Sequence, residues 1–201
     1  MVRRALAGEG VLTEEELRHL RQSWQAQVGN LRAAHAVLVA GPQDGALAAY
    51  TAEVRSELDL LLGELIELTT GLLNAGSFAI SGERRAEYLW WLGNAHLERA
   101  RVFPEGTDGQ KAAAWLDQAL AAAEQWLPTT HPIWLGIVLN YIVTHYEILK
   151  DFKKAAELGR EAFDKAISDL DQLDEASYDL ATAVLRQIKA LLDAWREPSA
   201  S

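Results

Sequence analysis

The sequence predicts an all-α protein, an antiparallel bundle of about seven helices without a sheet. Apolar residues recur at intervals of three and four along most of the chain, which is the period of an amphipathic helix. The five prolines and several of the glycines stand at the ends of these periodic segments or between them. No segment shows the sustained alternation and β-branched enrichment that are typical of a strand. These observations favour long helices joined by short links.

The first two helices are marked by capping residues and by Gly-Pro punctuation. Thr13 and Glu16 have the spacing of a capping box, so a helix is predicted to start there and to end at Gly41-Pro42. The next helix is predicted from near Asp44 to Asn74-Ala-Gly76. Its middle is apolar on more than one face, which indicates burial on two sides.

Five further helices follow, with a proline or a capping residue near their boundaries. They are predicted from Ser81 to just before Pro104, from about Asp108 to Leu127, from Thr130 to near Asp151, from an N-cap at Asp151, and from about Asp174 to Trp195. An ordinary tetratricopeptide array is the alternative architecture. Its pattern of about 34 residues cannot be laid over this chain twice in register.

Composition excludes several classes of protein and site. The 201 residues include 19 Lys and Arg, 29 Asp and Glu and no Cys, and the formal charge is −10. Without Cys there is no disulfide framework and no thiolate metal site. An acidic chain without a basic patch is not expected to bind nucleic acid. Uncharged stretches are too short for a membrane span, and the N-terminus lacks the apolar core of a signal peptide, so a cytoplasmic protein is expected.

No pattern in the sequence indicates catalysis, a metal or a cofactor. His145 and Glu147 are two residues apart on a helix and would face different ways, so they do not form a metal pair. The short motifs of zinc proteases, nucleotide-binding loops and serine hydrolases do not occur. We therefore expect a protein that is not an enzyme and holds no cofactor and no metal.

Two long segments resemble the 14-3-3 family. Residues 131–149 read HPIWLGIVLNYIVTHYEIL, which is similar to the family signature HPIxLGxxLNxxVxxYEIL. Residues 162–178 read AFDKAISDLDQLDEASY and continue the match in unbroken register. The resemblance covers roughly residues 11–196, and it implies the family's all-α fold of helical pairs. Residues 1–10 and 197–201 are then expected to be a disordered N-terminal tail and a C-terminal tail.

The resemblance also implies a difference in assembly. The family has nine helices, and this sequence aligns from the third of them onward. Since the first two family helices make the family dimer, that mode of dimerisation is not expected here. The uncovered surface predicts a possible homo-oligomer with a non-family interface, for which the candidates are Leu60, Leu61 and Leu62.

The residues that align with the family's phosphate pocket lack most of its donors. The family binds phosphoserine or phosphothreonine through Lys, Arg and Tyr side chains. Arg32 keeps one arginine, but Gln25 stands in place of the Lys and Ala36 in place of another Arg. Leu97 and Glu98 replace an Arg and the Tyr. Because phosphate needs charge-assisted donors to replace its water, this pocket is not expected to favour phosphate.

The peptide-holding side of the family's groove is better kept. Residues between 136 and 147 that match the family recur at spacings that place them on one helical face. The peptide-binding candidates implied by the resemblance are Arg32, Gly136, Leu139, Asn140, Val143, Glu147, Val184 and Trp195. Structural alternatives remain open: an ion pair for Arg32, a bond between helices for Asn140, a neighbouring cation for Glu147 and core packing for Val184.

The function predicted from the resemblance is that of an adaptor. It would bind a peptide segment of a partner protein in a 14-3-3-like groove, independently of phosphorylation. The alternatives are residual binding of phosphoserine or phosphothreonine peptides and a self-assembling helical scaffold.

Overall fold

A computed structural model describes residues 13–41, 44–75 and 81–195. These residues form seven α-helices, a π-helical turn and a short 3-10 turn, and none of them is in a strand. The predicted all-α class and the seven predicted helices are confirmed. No helix in the described part of the chain is both long and apolar enough to cross a membrane. The predicted tails, residues 1–10 and 197–201, lie outside the described residues.

The chain divides into two compact units, with the division after Ala75. The first unit is a helical pair, α1 (Glu14–Ala40) and α2 (Gly45–Ala75). At the start of α1, Thr13 Oγ1 accepts from the Glu16 N–H at 3.2 Å, and the Glu16 carboxylate accepts from the Thr13 N–H at 2.8 Å. The predicted capping box is therefore present, and it satisfies backbone donors that a helix start leaves open.

The second unit contains α3 (Gly82–Val102), α4 (Asp108–Glu124), α5 (Pro132–Val143), α6 (Phe152–Asp169) and α7 (Glu175–Ala194). A π turn (Thr144–Ile148) continues α5, and a 3-10 turn (Leu170–Gln172) continues α6. Sequence reasoning predicted one helix from Thr130 to near Asp151 and missed the π turn. The largest fully buried side chains of the second unit include Leu92, Leu97, Leu116, Trp134, Leu135, Ile137, Ile142 and Ile188.

Side-chain caps mark the start of four of the five helices of the second unit. Ser81 accepts from the Arg84 N–H, Asp151 from the Lys154 N–H, and Asp174 from the Ser177 N–H. The ring of His131 accepts from the Ile133 N–H, with Pro132 in the first turn of α5. Pro is favoured in a first turn because its missing N–H would be unpaired there anyway.

Glycines let two helices of the second unit approach α3 and α6 closely. A Cβ at Gly93 of α3 would lie 2.6 Å from Leu116 Cγ of α4, and one at Gly159 of α6 would lie 2.9 Å from Leu192 Cδ2 of α7. Such distances leave no room for a larger side chain. The positions of α3 and α6, which flank the candidate site, therefore depend on these small residues.

Candidate functional site

The site is built where α5 and the π turn pack beside α3 in the second unit. A Cβ at Gly136 of α5 would lie 2.5 Å from Cζ2 of Trp90, a residue of α3. Only a residue without a side chain fits against that ring, so Gly136 sets how close α3 comes to α5. This predicted peptide-binding position is thus in contact with a neighbouring helix.

Two asparagines connect α3 to α5. Asn140 Nδ2 donates a hydrogen bond of 2.9 Å to Asn94 Oδ1, and both side chains are half-buried. One turn later, the Thr144 hydroxyl donates to the Asn140 carbonyl at 2.7 Å. A carboxamide has two N–H donors and an oxygen with two lone pairs, so the Asn140–Asn94 bond leaves further hydrogen-bonding capacity on both side chains.

An arginine at the end of α3 joins two carboxylates. Arg101 Nη1 donates to Glu98 Oε1 at 2.7 Å, while Nε and Nη2 donate to Glu147 Oε2 at 3.1 and 2.7 Å. Although burial disfavours the guanidinium charge, the two carboxylates outweigh burial and raise the pKa of Arg101 above its usual range. The three side chains carry a formal net charge of −1. Sequence reasoning missed Arg101, although its spacing of three residues from Glu98 is that of a helical ion pair.

The π turn changes the direction of the side chains that follow Val143. Leu149 N–H donates to the Thr144 carbonyl at 3.0 Å, five residues back, where an α-helix would bond four residues back. The prediction that residues 136–147 share one face assumes regular α-helical spacing throughout. The wider turn changes that spacing after Val143. Val143 is buried, while Glu147 is exposed and reaches Arg101.

Three aromatic rings meet beside the π turn. Tyr146 stacks on Trp195, with ring centroids 3.9 Å apart and planes at 8°. The ring of Phe152 meets Tyr146 edge-on at 4.8 Å and is itself exposed. The stack ties the C-terminal end of α7 to the π turn. It places Trp195 against Tyr146, a contact that no spacing in the sequence indicates.

Comparison with known proteins identifies the family. The sequence model described as "14-3-3 protein" matches residues 1–196. The chain belongs to the 14-3-3 family. It is similar to a 14-3-3-like protein of Oenothera elata subsp. hookeri, with 35% identity over 150 residues, which is 73% of this chain and 56% of that protein.

Two further 14-3-3-like relatives align over most of the chain. They are 14-3-3-like protein A of Hordeum vulgare, 31% identical over 206 positions, and 14-3-3-like protein GF14-F of Oryza sativa subsp. japonica, 32% identical over 203. These alignments cover 96% and 95% of this chain, and 78% of each relative. The chain thus spans just over half of the Oenothera protein and about three quarters of the two others. Membership of the 14-3-3 family supports a protein-binding adaptor role in general terms.

The structure places the 14-3-3 phosphate-pocket positions in different surroundings. Leu97 is only 1% exposed, so it belongs to the core of the second unit. Glu98 is buried and paired with Arg101. In the first unit, Gln25, Arg32 and Ala36 are exposed on α1, and Arg32 is not without an interaction partner. No described side chain at positions 97 and 98 is a cationic or hydroxyl donor to phosphate.

The remaining peptide-binding candidates of this 14-3-3 chain are spread over α5, the π turn and α7. Leu139 and Asn140 are half-buried on α5, and Val184 is half-buried on α7, a helix that contacts α5. The structure pairs Asn140 with Asn94 and Glu147 with Arg101. Both bonds correspond to the structural alternatives that the sequence left open for these two residues.

The three leucines predicted as an oligomer interface do not share one face of α2. Leu60 is 69% exposed, Leu61 is half-buried and Leu62 is 0% exposed. Consecutive residues are about 100° apart around an α-helix, so the three side chains cannot point the same way, and Leu62 lies in the core of the helical pair. Leu61 lines a cavity of about 240 Å³ between α1 and α2, together with Leu20 and Trp24.

Proposed function

We propose that this 14-3-3 chain binds an unphosphorylated peptide segment of a partner protein on the face formed by α3, α5, the π turn and α7. One observation carries the proposal. Most of the side chains with which the family binds phosphate are replaced here, whereas the amide and carboxylate side chains beside them are retained. Leu97 is in the core, and Glu98 and Glu147 share Arg101. Asn140 and Asn94 remain half-buried next to them.

Hydrogen bonding supports recognition of a peptide backbone. A peptide offers one N–H and one C=O at each residue, and the Asn140–Asn94 pair has both donors and acceptors left for such groups. The half-buried side chains of Leu139 and Val184 add apolar contact to this face. Main-chain bonds combined with apolar contact are a common way of holding a segment without reading a charge.

Electrostatics disfavour a phosphate at the same place. The Glu98–Arg101–Glu147 group has a formal charge of −1, and Arg101 is already shared by both carboxylates. One like-charge pair about 5 Å apart, at an effective dielectric constant of about 20, costs roughly 3 kcal/mol. A dianionic phosphate would add to this repulsion, and it would also lack the donors that stabilise it in its bound state.

Fluorescence polarisation with matched peptides tests the proposal. A binding segment is first selected from an unphosphorylated display library and is then synthesised with and without phosphate on each Ser or Thr. We expect the unphosphorylated form to bind at least as tightly. Asn140→Ala should weaken binding about tenfold, which is the loss of one hydrogen bond of about 1.4 kcal/mol, while Asn30→Ala on the exposed side of α1 should not.

Two results would overturn the proposal. One is tighter binding of the phosphorylated peptide by tenfold or more, which would favour the alternative of residual phosphopeptide binding. The other is equal affinity of the Asn140→Ala and Asn30→Ala proteins, which would place the peptide elsewhere. Arg32→Ala, measured with the same peptides, shows whether the one retained family arginine takes part.

Self-association through α2 is the second candidate function. Leu60 is exposed, and the adjacent Leu61 opens into the cavity of about 240 Å³ between α1 and α2. Light scattering at rising concentration tests it. Leu60→Glu should lower the mass towards the monomer, whereas Val37→Glu, at a comparably exposed position of α1, should leave it unchanged. A monomer mass at every concentration would eliminate this candidate.

A further inference from the structure

The π turn encloses a histidine whose ring has no hydrogen-bond partner. His145 is 4% exposed, and neither Nδ1 nor Nε2 is paired among the described residues. Its nearest ring is Tyr141, which it meets edge-on at 4.9 Å. A neutral imidazole leaves one donor and one acceptor unpaired here, whereas a protonated ring would leave two donors and a charge. The pocket therefore accepts His145 only in its neutral form.

Two backbone hydrogen bonds link the turn to the residues that follow it. Leu149 N–H donates to the Thr144 carbonyl at 3.0 Å, and Asp151 N–H donates to the His145 carbonyl at 2.9 Å. Between them Lys150 adopts a φ of 57°, a left-handed conformation that is unfavourable for a residue with a side chain. Such a turn is a local structure that can open without unfolding of the helices around it.

The same turn carries the contacts that connect three helices. Tyr146 stacks on Trp195, the residue that follows α7, and Glu147 bonds to Arg101 of α3. Ile148 Cγ2 lies 2.5 Å from where a Cβ at Gly109 of α4 would be. Because these residues are consecutive, a change of backbone at His145 moves all three contacts together.

Charged groups face the turn from each neighbouring helix. Asp117 of α4 accepts from the Tyr141 hydroxyl, Lys154 of α6 lies 5.6 Å from the Tyr141 ring centroid, and Asp151 precedes α6. From α3, Glu98 and Arg101 face Glu147. Burial lowers the pKa of His145 and Lys154 lowers it further, while Asp151 and Asp117 oppose the shift.

We propose that the π turn is an acid-sensitive switch, in which a proton taken up by His145 opens residues 144–148 and releases Glu147 from Arg101 and Tyr146 from Trp195. The open turn exposes the imidazole to water, where it titrates near pH 6.5. The closed turn binds that proton only at lower pH. The closed form therefore keeps its full stability above about pH 6.5. Below that pH, the ratio of the closed to the open population falls by up to about tenfold per pH unit.

Amide hydrogen exchange of the peptide that spans residues 144–151 tests the switch. Protection, corrected for the intrinsic dependence of exchange on pH, is measured between about pH 7.5 and 5.5 in three proteins. The wild type should lose close to tenfold in protection over that interval. His145→Phe keeps a ring of similar size but cannot be protonated, so its protection should stay constant. His131→Asn is the matched control, because it removes another histidine of lowered pKa while keeping a side chain that can cap α5.

Constant protection in the wild type, or the same loss of protection in His145→Phe, would overturn the proposal. Loss of the pH effect in His131→Asn would do so as well, since the effect would then originate at His131 and not at His145. If His145→Phe does not fold, an NMR titration of the wild-type His145 ring replaces it. We then expect its resonance to shift together with those of Glu147 and Tyr146, and independent titration would overturn the switch.

Discussion

Arg101 holds Glu147 through two hydrogen bonds to a single carboxylate oxygen, Oε2, across a sequence separation of 46 residues. The guanidinium is largely shielded from water, while the Glu147 side chain is 44% exposed. Both bonds use Oε2, so they restrain the carboxylate without using Oε1. The contact fixes the π turn to the end of α3 and keeps a carboxylate oxygen accessible at the proposed peptide face.

Removal of this arginine should destabilise the second unit. Arg101→Met keeps much of the apolar stem but leaves the buried Glu98 and the exposed Glu147 without their shared cation. We expect a loss of about 1–3 kcal/mol in the free energy of unfolding, the range for hydrogen bonds to charged groups. Urea denaturation measures it. Lys153→Met, which removes an exposed i,i+4 partner of Glu157, should change stability by less than about 0.5 kcal/mol. Equal effects of the two substitutions would contradict a structural role for Arg101.

Tyr141 should make the stability depend on pH in the alkaline range. Burial and the bond to Asp117 raise the pKa of Tyr141 to about 12. In the unfolded chain the phenol ionises near pH 10, so its contribution is full below about pH 10 and is lost as the pH rises towards 12. Tyr141→Phe should cost about 0.5–1.5 kcal/mol at neutral pH and show a flatter decline above pH 10. Parallel alkaline declines of wild type and variant, in urea unfolding, would exclude this origin.

Gly136 should not tolerate a methyl group. Gly136→Ala would place Cβ 2.5 Å from the Trp90 ring, and the resulting overpacking should cost about 1–3 kcal/mol. Gly63 of α2 is the matched control, because nothing lies within 4 Å of the point that its Cβ would occupy. Gly63→Ala should be neutral or stabilising by up to about 1 kcal/mol. Thermal unfolding compares the two, and a harmless Gly136→Ala would show that α3 can move away from α5.

Lys150 should be replaceable by glycine with a gain in stability. Its φ of 57° is easily adopted by Gly, and the relief of the left-handed conformation should stabilise the fold by about 0.5–1 kcal/mol. Lys153→Gly, in the first turn of α6, should instead destabilise by about 0.5–1 kcal/mol, since its backbone is helical. Chemical denaturation separates the two effects. A loss of stability in Lys150→Gly would mean that the lysine side chain outweighs the backbone cost.

Local signals made the fold largely predictable from sequence. Thr13 and Glu16 are three residues apart and cap the same helix that they predict, and Asp151 and Asp174 cap the helices expected after them. The π turn was not predictable in this way. Residues 144–148 have an ordinary helical composition, and the wider turn depends on packing against α4 and α6.

For some residues of the candidate site, the sequence allowed structural alternatives to be stated in advance, but it did not identify the partner residues. A neighbouring cation for Glu147 was one of these, but Arg101 is 46 residues away and could not be selected from the sequence. The same holds for Asn94, which lies 46 residues from Asn140. Leu62 is the opposite case, in which the sequence alone was sufficient. Its spacing from Leu60 in the helix places the two side chains on different sides of α2, and only Leu60 is exposed.

The stack of Trp195 on Tyr146 has a practical consequence for labelling this protein. Trp195 is anchored at the π turn, so a label on its indole ring would be held next to residues 144–148 rather than at a remote end of the helix. A dye at that point would report on the local structure around Tyr146 with no substitution inside the helices. The same label could obstruct a peptide that approaches Glu147.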